Sequence, residues 1–193
     1  SYGATNILLN TATDQEYSYT GVGGISAKIT IDKPSGAFKP AAGITEFHAG
    51  ALDLQQGTFE APSNELGVGF TSFINGNVTI LNISSGTTFN EGGAHVKFKF
   101  KDAWAIENRY LIDVDGSLNL NDVSIESDGG PYSSEIEIVS GDYINVQGNF
   151  STVNTEKIHG DWRVTGNVTI DSNINSGGAS ITLNGTGDQT FTA

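Results

Sequence analysis

The sequence has no cysteine, no methionine and only four prolines among its 193 residues. Without cysteine the chain can form neither disulfides nor thiolate metal sites, and it has no thiol nucleophile. Because methionine is absent even from position 1, we expect Ser1 to be a processed N-terminus or the edge of a longer chain. No apolar run approaches the ~20 residues that a membrane-spanning helix needs, so we expect no membrane insertion.

Positive charge is also scarce. Nine Lys and Arg stand against 22 Asp and Glu, which gives a formal net charge of −13. A surface of this sign repels phosphate backbones, so we expect no nucleic-acid partner. The hydrophobic content of 37% recurs in short β-branched groups, as in a folded protein rather than a disordered one.

Short runs of alternating apolar and polar residues, separated by Gly, Asn or Asp, predict β-strands. No window has an apolar stripe at helical spacing, so we predict an all-β protein. The predicted strands are Ile25–Ile31, Asn77–Ile83, His95–Phe100, Ser117–Ile125, Glu135–Val139, Tyr143–Val146, Trp162–Ile170 and Ser180–Leu183.

The sequence also repeats itself. GNVTI occurs at Gly76–Ile80 and again 90 residues later, and Asn90–Phe98 parallels Asn175–Leu183 at an offset of 85. The two ends match as well, because Ile7–Ser18 and Ile181–Thr192 share the pattern I-x-L-N-x-[TA]-x-D-Q-x-aromatic-[ST] at an offset of 174. Either a long array is cut at about one period, or the end of one subunit mimics its start so that copies can stack.

Three phrases carry a family resemblance. They are KITIDKPSG at Lys28–Gly36, GALDLQQGTFEAPS at Gly50–Ser63 and ITLNGTGDQTFT at Ile181–Thr192. In content and order they resemble the β-solenoid repeats of large secreted surface proteins of the Bacteroidetes, within the filamentous-haemagglutinin-like group. The resemblance implies a right-handed parallel β-helix in a surface adhesin or filament protein. It covers about the first hundred residues and the last thirty.

We therefore expect a single β-solenoid domain over 1–193, with a lateral insertion or irregular region at 101–148. The alternative is a jelly-roll or immunoglobulin-like β-sandwich, which also consists of many short strands. The expected localisation is extracellular, at the cell surface. Self-association is expected to use the matching ends, through Ile7, Leu9, Asn10, Ile181, Leu183, Asn184 and Phe191.

Motifs for chemistry are few. The three histidines share no ligand spacing and G-x-S-x-G does not occur, so we expect neither a zinc site nor an enzyme. The best carboxylate cluster has the spacing of positions 3, 5, 9 and 12 of a calcium loop, although Leu111 stands at position 1. Calcium is therefore the one cofactor that the pattern suggests, at Asp113, Asp115, Asn119 and Asp122.

Exposed aromatic rings could stack on sugars, and the alternative for each ring is packing in the core. The candidates for glycan contact are Trp104, Tyr110, Tyr132 and Trp162. The leading function is thus a structural extracellular segment or filament subunit. A carbohydrate-binding module is the second hypothesis, and a β-helix enzyme acting on polysaccharides is the third.

Overall fold

The computed structural model describes residues 5–18, 25–69, 77–100, 109–127, 135–155, 157–172, 174 and 177–193. This part of the chain contains strands and no helix. The strands are β1 (Asn6–Leu9), β2 (Gln15–Tyr17), β3 (Ile25–Pro40), β4 (Glu46–Glu60), β5 (Glu65–Val68), β6 (Asn77–Ile83), β7 (Thr88–Asn90), β8 (His95–Phe100), β9 (Arg109–Asp113), β10 (Ser117–Leu120), β11 (Val123–Ser127), β12 (Glu135–Ile138), β13 (Tyr143–Val146), β14 (Phe150–Val153), β15 (Lys157–Val164), β16 (Val168–Thr169), β17 (Ala179–Leu183) and β18 (Phe191–Thr192).

Every pairing between the described strands is parallel and joins one coil of the chain to the next. We call each stack of paired strands a column. Column 1 contains β1, the first half of β3, the middle of β4, β6, β9, β12 and the start of β15. Column 3 contains the start of β4, then β5, β8, β11, β14, β16 and β18.

Column 2 lies between these two along the chain and consists of two stretches. The first contains β2 and the ends of β3 and β4, followed by β7. The second contains β10, β13, the end of β15 and β17. The fold is therefore a parallel β-helix of the solenoid type, as the sequence predicts. Sandwiches of the jelly-roll and immunoglobulin kinds pair their strands antiparallel, so that alternative is wrong.

Alternation along each strand explains the core. Successive side chains of a strand point to opposite faces, so every second residue enters the solenoid and contacts its equivalents in the coils on either side. In column 3 the inward series runs through Phe47, Leu66, Val96, Val123 and Phe150, all 1% exposed or less.

The composition of the core changes along column 2. In the first stretch the rings of Tyr17, Phe38, Phe59 and Phe89 follow one another, with centroid distances of 4.9, 6.1 and 5.4 Å between neighbours. From β10 onward the inward positions carry Leu118, Ile144 and Trp162 instead. The first part of the solenoid thus has an aromatic interior in this column and the second part a mainly aliphatic one.

The repeated sequence unit is smaller than a coil. Partner strands are 18 to 32 residues apart, from Tyr143 opposite Asp161 to Asn77 opposite Arg109. The second copy of GNVTI enters column 3 at Val168, whereas the first supplies β6 of column 1. What recurs is therefore a strand with its corner, and the copies occupy different columns.

The region predicted to be irregular contains regular coils where it is described. β9, β11, β12 and β13 each pair in register with a strand of the preceding coil and a strand of the following coil, for example Ile112 with Leu81 and with Ile138. β10 pairs with β13 of the following coil. An insertion within 101–108 or 128–134 lies outside the described residues and stays a prediction. The hand of the coil also stays a prediction.

Candidate functional site

At the C-terminal end of the described chain, the last two strands each have one unpaired edge. β17 pairs with β15 and β18 pairs with β16, and no described strand covers their other edges. Ile181 lies opposite buried Trp162 and Phe191 opposite buried Val168, so both side chains are directed toward the core. Phe191 is nevertheless 53% exposed and Leu183 41%. These side chains are exposed because no further described coil packs on them.

An apolar hollow of about 250 Å³ lies at this end. Its walls are Ile158, Ile170, Ile174, Ala179 and Phe191, together with Gly177 and Ile181. It is the unfilled end of the core rather than a lateral pocket. Asn184 continues from β17 at the surface, where its backbone N–H donates to Val164.

The N-terminal end is open in the same way. β1 pairs with β3, and none of the described strands pairs with its other edge. Ile7 lies opposite Ile29 and Leu9 opposite Ile31, so both point inward, yet Ile7 is 37% exposed. Leu8 points outward and is 54% exposed, a feature that the sequence pattern did not single out. Asn10 follows at the exposed corner.

The two matching end segments have the same local form but lie in different columns. Ile7–Ser18 provides β1 in column 1 and β2 in column 2, whereas Ile181–Thr192 provides β17 in column 2 and β18 in column 3. Their corners are also stabilised differently. At the first corner the ammonium of Lys33 donates to the Thr11 and Thr13 carbonyl oxygens. At the second, Gln189 binds neighbouring backbone groups.

A second surface feature is a polar groove between β7 and β10, which we call the column 2 groove. No strand pairing or backbone hydrogen bond joins 84–90 to 114–120, although the same two coils are in register on either side of this gap. The last register pair before it is Asn82 with Asp113. Beyond it, the Asn121 side chain donates to the Gly93 carbonyl oxygen at 3.1 Å.

Unequal corner lengths explain the groove. Thirteen residues separate Asn82 from Val96 in the coil of β6 to β8, which we call the lower coil. Nine residues separate Asp113 from Val123 in the next coil, that of β9 to β11, which we call the upper coil. The lower coil therefore follows a wider path and places β7 against β4, out of reach of β10. The resulting space measures about 340 Å³. It is lined by Ile83, Ser84, Ser85, Gly86, Thr87, Phe89, Val114, Asp115, Ser117, Leu118 and Asn119.

The four calcium candidates are distributed over this region rather than gathered. Asp115 and Asn119 line the groove, and the Asn119 side-chain oxygen accepts a hydrogen bond from Asn145 at 2.8 Å. Asp122 accepts the backbone N–H of Asn149 at 2.6 Å, and Asp113 lies in β9 opposite Asn82. Among the described residues, no three His, Asp or Glu side chains form a group that could hold a metal. Calcium binding stays a prediction.

Several aspartates instead join neighbouring coils at their corners. Asp14 accepts the backbone N–H of Ala37, and Asp171 accepts that of Asn154. Asp142 accepts two, from Val114 at 3.0 Å and Gly116 at 2.7 Å. A carboxylate accepting a backbone N–H satisfies a group that an abrupt turn leaves without a ladder partner. Some of the many aspartate side chains of the protein therefore stabilise the corners between strands.

The aromatic candidates need correction. Tyr110 is 1% exposed and Trp162 is 0% exposed, so neither ring can stack on a sugar at the surface. Their positions in β9 and β15 direct both side chains into the core, where Trp162 contacts Phe150 with centroids 5.1 Å apart. Trp104 and Tyr132 lie outside the described residues. The ring that does line a surface groove is half-buried Phe89, which the sequence did not distinguish from other core phenylalanines.

A ladder of charges runs across column 1. Arg109 pairs with Glu135 and also contacts Glu137, with 3.0 Å between Arg109 Nη1 and Glu137 Oε2. His159 Nε2 lies 3.1 Å from the second oxygen of Glu135, and its Nδ1 accepts the backbone N–H of Gly178. These groups belong to three successive coils, in β9, β12 and β15. The arrangement binds coil to coil and leaves each carboxylate engaged.

Comparison of the chain with protein-family models, curated protein sequences and solved structures finds no match. Within the described part of the chain, no helix has the length and apolar character required to cross a membrane. The surface features of the described chain that could carry a function are its two ends and the column 2 groove.

Proposed function

We propose that this chain is a structural extracellular protein, a surface adhesin segment or filament subunit, whose solenoid ends associate head to tail. The observation that supports this most directly is the exposure of core-facing side chains at both ends, namely Phe191, Leu183 and Ile7. The family resemblance of the sequence supports the surface location. The proposed role requires no catalysis.

The physical basis is the incomplete burial of the terminal coils. A solenoid coil is stabilised by the coils on either side, and an uncovered coil leaves strand edges and apolar side chains in water. Stacking one end on another completes the hydrogen-bond ladders of β17 and β1. It also buries half-exposed apolar side chains, which contributes about 1 kcal/mol for each.

The ends are different surfaces, so the expected contact is heterologous. A contact between unlike surfaces does not close on itself and gives open filaments, whereas a contact between like surfaces stops at a dimer. Because the matching segments lie in different columns, stacking β1 of one copy on β17 of another requires a rotation about the solenoid axis. We therefore expect filaments in which successive copies are turned relative to one another.

Variants that block one end at a time test this directly. Ile7→Asp places a charge at the N-terminal end, and Phe191→Asp does so at the C-terminal end. Each variant alone should be monomeric in sedimentation equilibrium, while a mixture of the two should form dimers through the one intact pair of ends. Wild type should form longer species, visible as fibres by electron microscopy.

Val153→Asp is the matched control, because Val153 is 45% exposed but belongs to β14, which is paired with β11 and β16. It should associate as wild type does. Dimers from Ile7→Asp alone would mean that like ends meet, and a wild type that stays monomeric at millimolar concentration would reject self-association.

A further inference from the structure

We infer that the column 2 groove is a binding site for a neutral carbohydrate of one or two sugar units. The groove is formed by the gap between β7 and β10 and is bounded by hydrogen-bonded coils on both sides. Its volume of about 340 Å³ lies within the range of about 300–1,000 Å³ for small-ligand sites. This inference is independent of the proposed end-to-end association.

The lining has two chemical layers. Its inner wall is apolar, formed by the half-buried ring of Phe89 together with Ile83, Val114 and Leu118. Leu118 is 8% exposed, and the ring of Phe89 is supported from behind by Phe59 at 5.4 Å. A sugar ring has apolar C–H faces, and the face of an aromatic ring is a suitable surface for them.

The rim of the groove is polar and uncommitted. Ser85, Asp115 and Ser117 are exposed, and among the described residues their side chains form no hydrogen bond. Asn119 uses its side-chain oxygen to accept from Asn145, which leaves its amide N–H groups directed to solvent or ligand. These hydroxyl, amide and carboxylate groups supply both donors and acceptors, which is what the hydroxyls of a sugar require.

Charge selects a neutral ligand over an anionic one. The lining contains one carboxylate, Asp115, and no Lys, Arg or His. The net charge of −13 adds a long-range repulsion of anions. Phosphates, sulfated sugars and uronates would therefore bind more weakly than neutral hexoses. A single carboxylate also provides too few ligands to bind calcium by itself.

The test is a glycan array that contains neutral and acidic saccharides, followed by calorimetry with the best neutral binder. We expect neutral saccharides to bind and the double variant Ser117→Ala/Asn119→Ala to raise the Kd at least tenfold. The matched control is Ser180→Ala/Thr182→Ala, because these residues occupy the equivalent outward positions of column 2 in β17. The control should stay within twofold of wild type.

All binding measurements use the Ile7→Asp background, in which the protein is expected to be monomeric. End-to-end association between copies then does not affect the measured Kd. Absence of binding to any neutral saccharide at millimolar concentration would overturn the inference. So would a preference for acidic glycans, or equal loss of binding in the groove and control variants. Binding of short peptides without saccharide binding would mean that the gap accepts a strand, and would also reject the inference.

Discussion

Lys33 is a buried cation that forms no ion pair with any of the described residues. Its side chain is 0% exposed, and its ammonium donates to the carbonyl oxygens of Thr11 and Thr13 and to the side-chain oxygen of Gln15. Burying a charge is costly unless hydrogen bonds replace the lost water, and here these oxygens and the hydroxyl of Thr11, all from the preceding coil, replace it. Lys33 therefore fixes the corner between β1 and β2 to the second coil.

We predict that Lys33→Met lowers the free energy of unfolding by about 1–3 kcal/mol, because it leaves these acceptors without their donor. Urea unfolding followed by circular dichroism would measure the loss. Lys39→Met is the control, since Lys39 pairs with exposed Asp14 at the surface. A Lys33 variant as stable as the control would show that water replaces the ammonium at no cost.

Asp53 predicts a dependence of stability on pH. Burial alone would raise the pKa of this carboxyl, but the hydrogen bonds and charge of Lys28, with hydrogen bonds from Asn82 and Gln55, outweigh it and hold the pKa below its ordinary value. A carboxyl whose pKa is lowered by folding stabilises the protein where the unfolded chain is ionised. That contribution is lost as the pH falls through the folded-state pKa.

Stability should therefore fall as the pH is lowered below about 4, the ordinary pKa of aspartate. Asp53→Asn should be less stable than wild type at pH 7 and should lose less stability between pH 7 and pH 3. Urea midpoints at several pH values would measure both. If the urea midpoints of the variant and of wild type fell equally with pH, the loss of stability in acid would come from another group, for example Glu65, whose pKa is also lowered.

At the scale of strands, the alternation of apolar and polar residues predicts the limits of several strands. β6, β8 and β13 have the predicted limits. The predicted strand Ser117–Ile125 is two strands, β10 and β11, because the corner at Asn121 and Asp122 interrupts an alternation that reads as continuous. Conversely, β3 is one strand across Lys33–Gly36, although its register with β4 shifts between Asp32 and Ala37, where Gly36 at φ +79° turns the chain. Short corners of a solenoid are thus only partly visible in the sequence.

Corner glycines differ in what constrains them. Gly160, between the halves of β15, has φ +96°, and a Cβ there would lie 2.6 Å from that of Ile138. Gly141 has φ +100° but open space around it. Gly141→Ala should therefore lower the free energy of unfolding only by the strain of a left-handed backbone conformation, roughly 1–2 kcal/mol. Gly160→Ala should cost more, because Ile138 is itself packed in the core. Urea unfolding of both variants measures the difference, and equal losses would mean that β12 moves away freely.

For the whole molecule, the repeats in the sequence predict a solenoid and direct attention to its ends, but they do not predict the groove. The match between Ile7–Ser18 and Ile181–Thr192 identifies the end residues. The groove arises from a difference in corner length between two coils, and it becomes visible only when the register of β6 with β9 is known. The burial of Tyr110 and Trp162 is not predictable for a related reason, because alternation alone does not tell which face of a strand is inside the solenoid.

The charge of the whole chain makes a prediction about association. Residues 1–24 contain Asp14 and Glu16 and no Lys or Arg, and residues 165–193 contain Asp171 and Asp188 and again no Lys or Arg. The second coil offsets this charge at the N-terminal end, because Lys39 pairs with Asp14 and the Lys33 ammonium lies at the same corner. Each copy nevertheless carries a net charge of −13, so head-to-tail contact brings two like-charged molecules together while it buries apolar side chains. Salt shortens the Debye length from ~30 Å at 0.01 M to ~10 Å at 0.1 M, which weakens the repulsion and leaves the apolar contact.

We therefore expect the association constant to increase as NaCl is raised from about 0.01 to 0.3 M, in light scattering or sedimentation. Glu16→Gln/Asp188→Asn should associate more tightly at low salt and respond less to added salt, because the repulsion is already reduced. Glu137→Gln, which removes a charge from the side of the solenoid, is the control and should keep the salt response of wild type. Association that weakens with salt would mean that ion pairs between copies hold the ends together, and the apolar coils would then not be the contact.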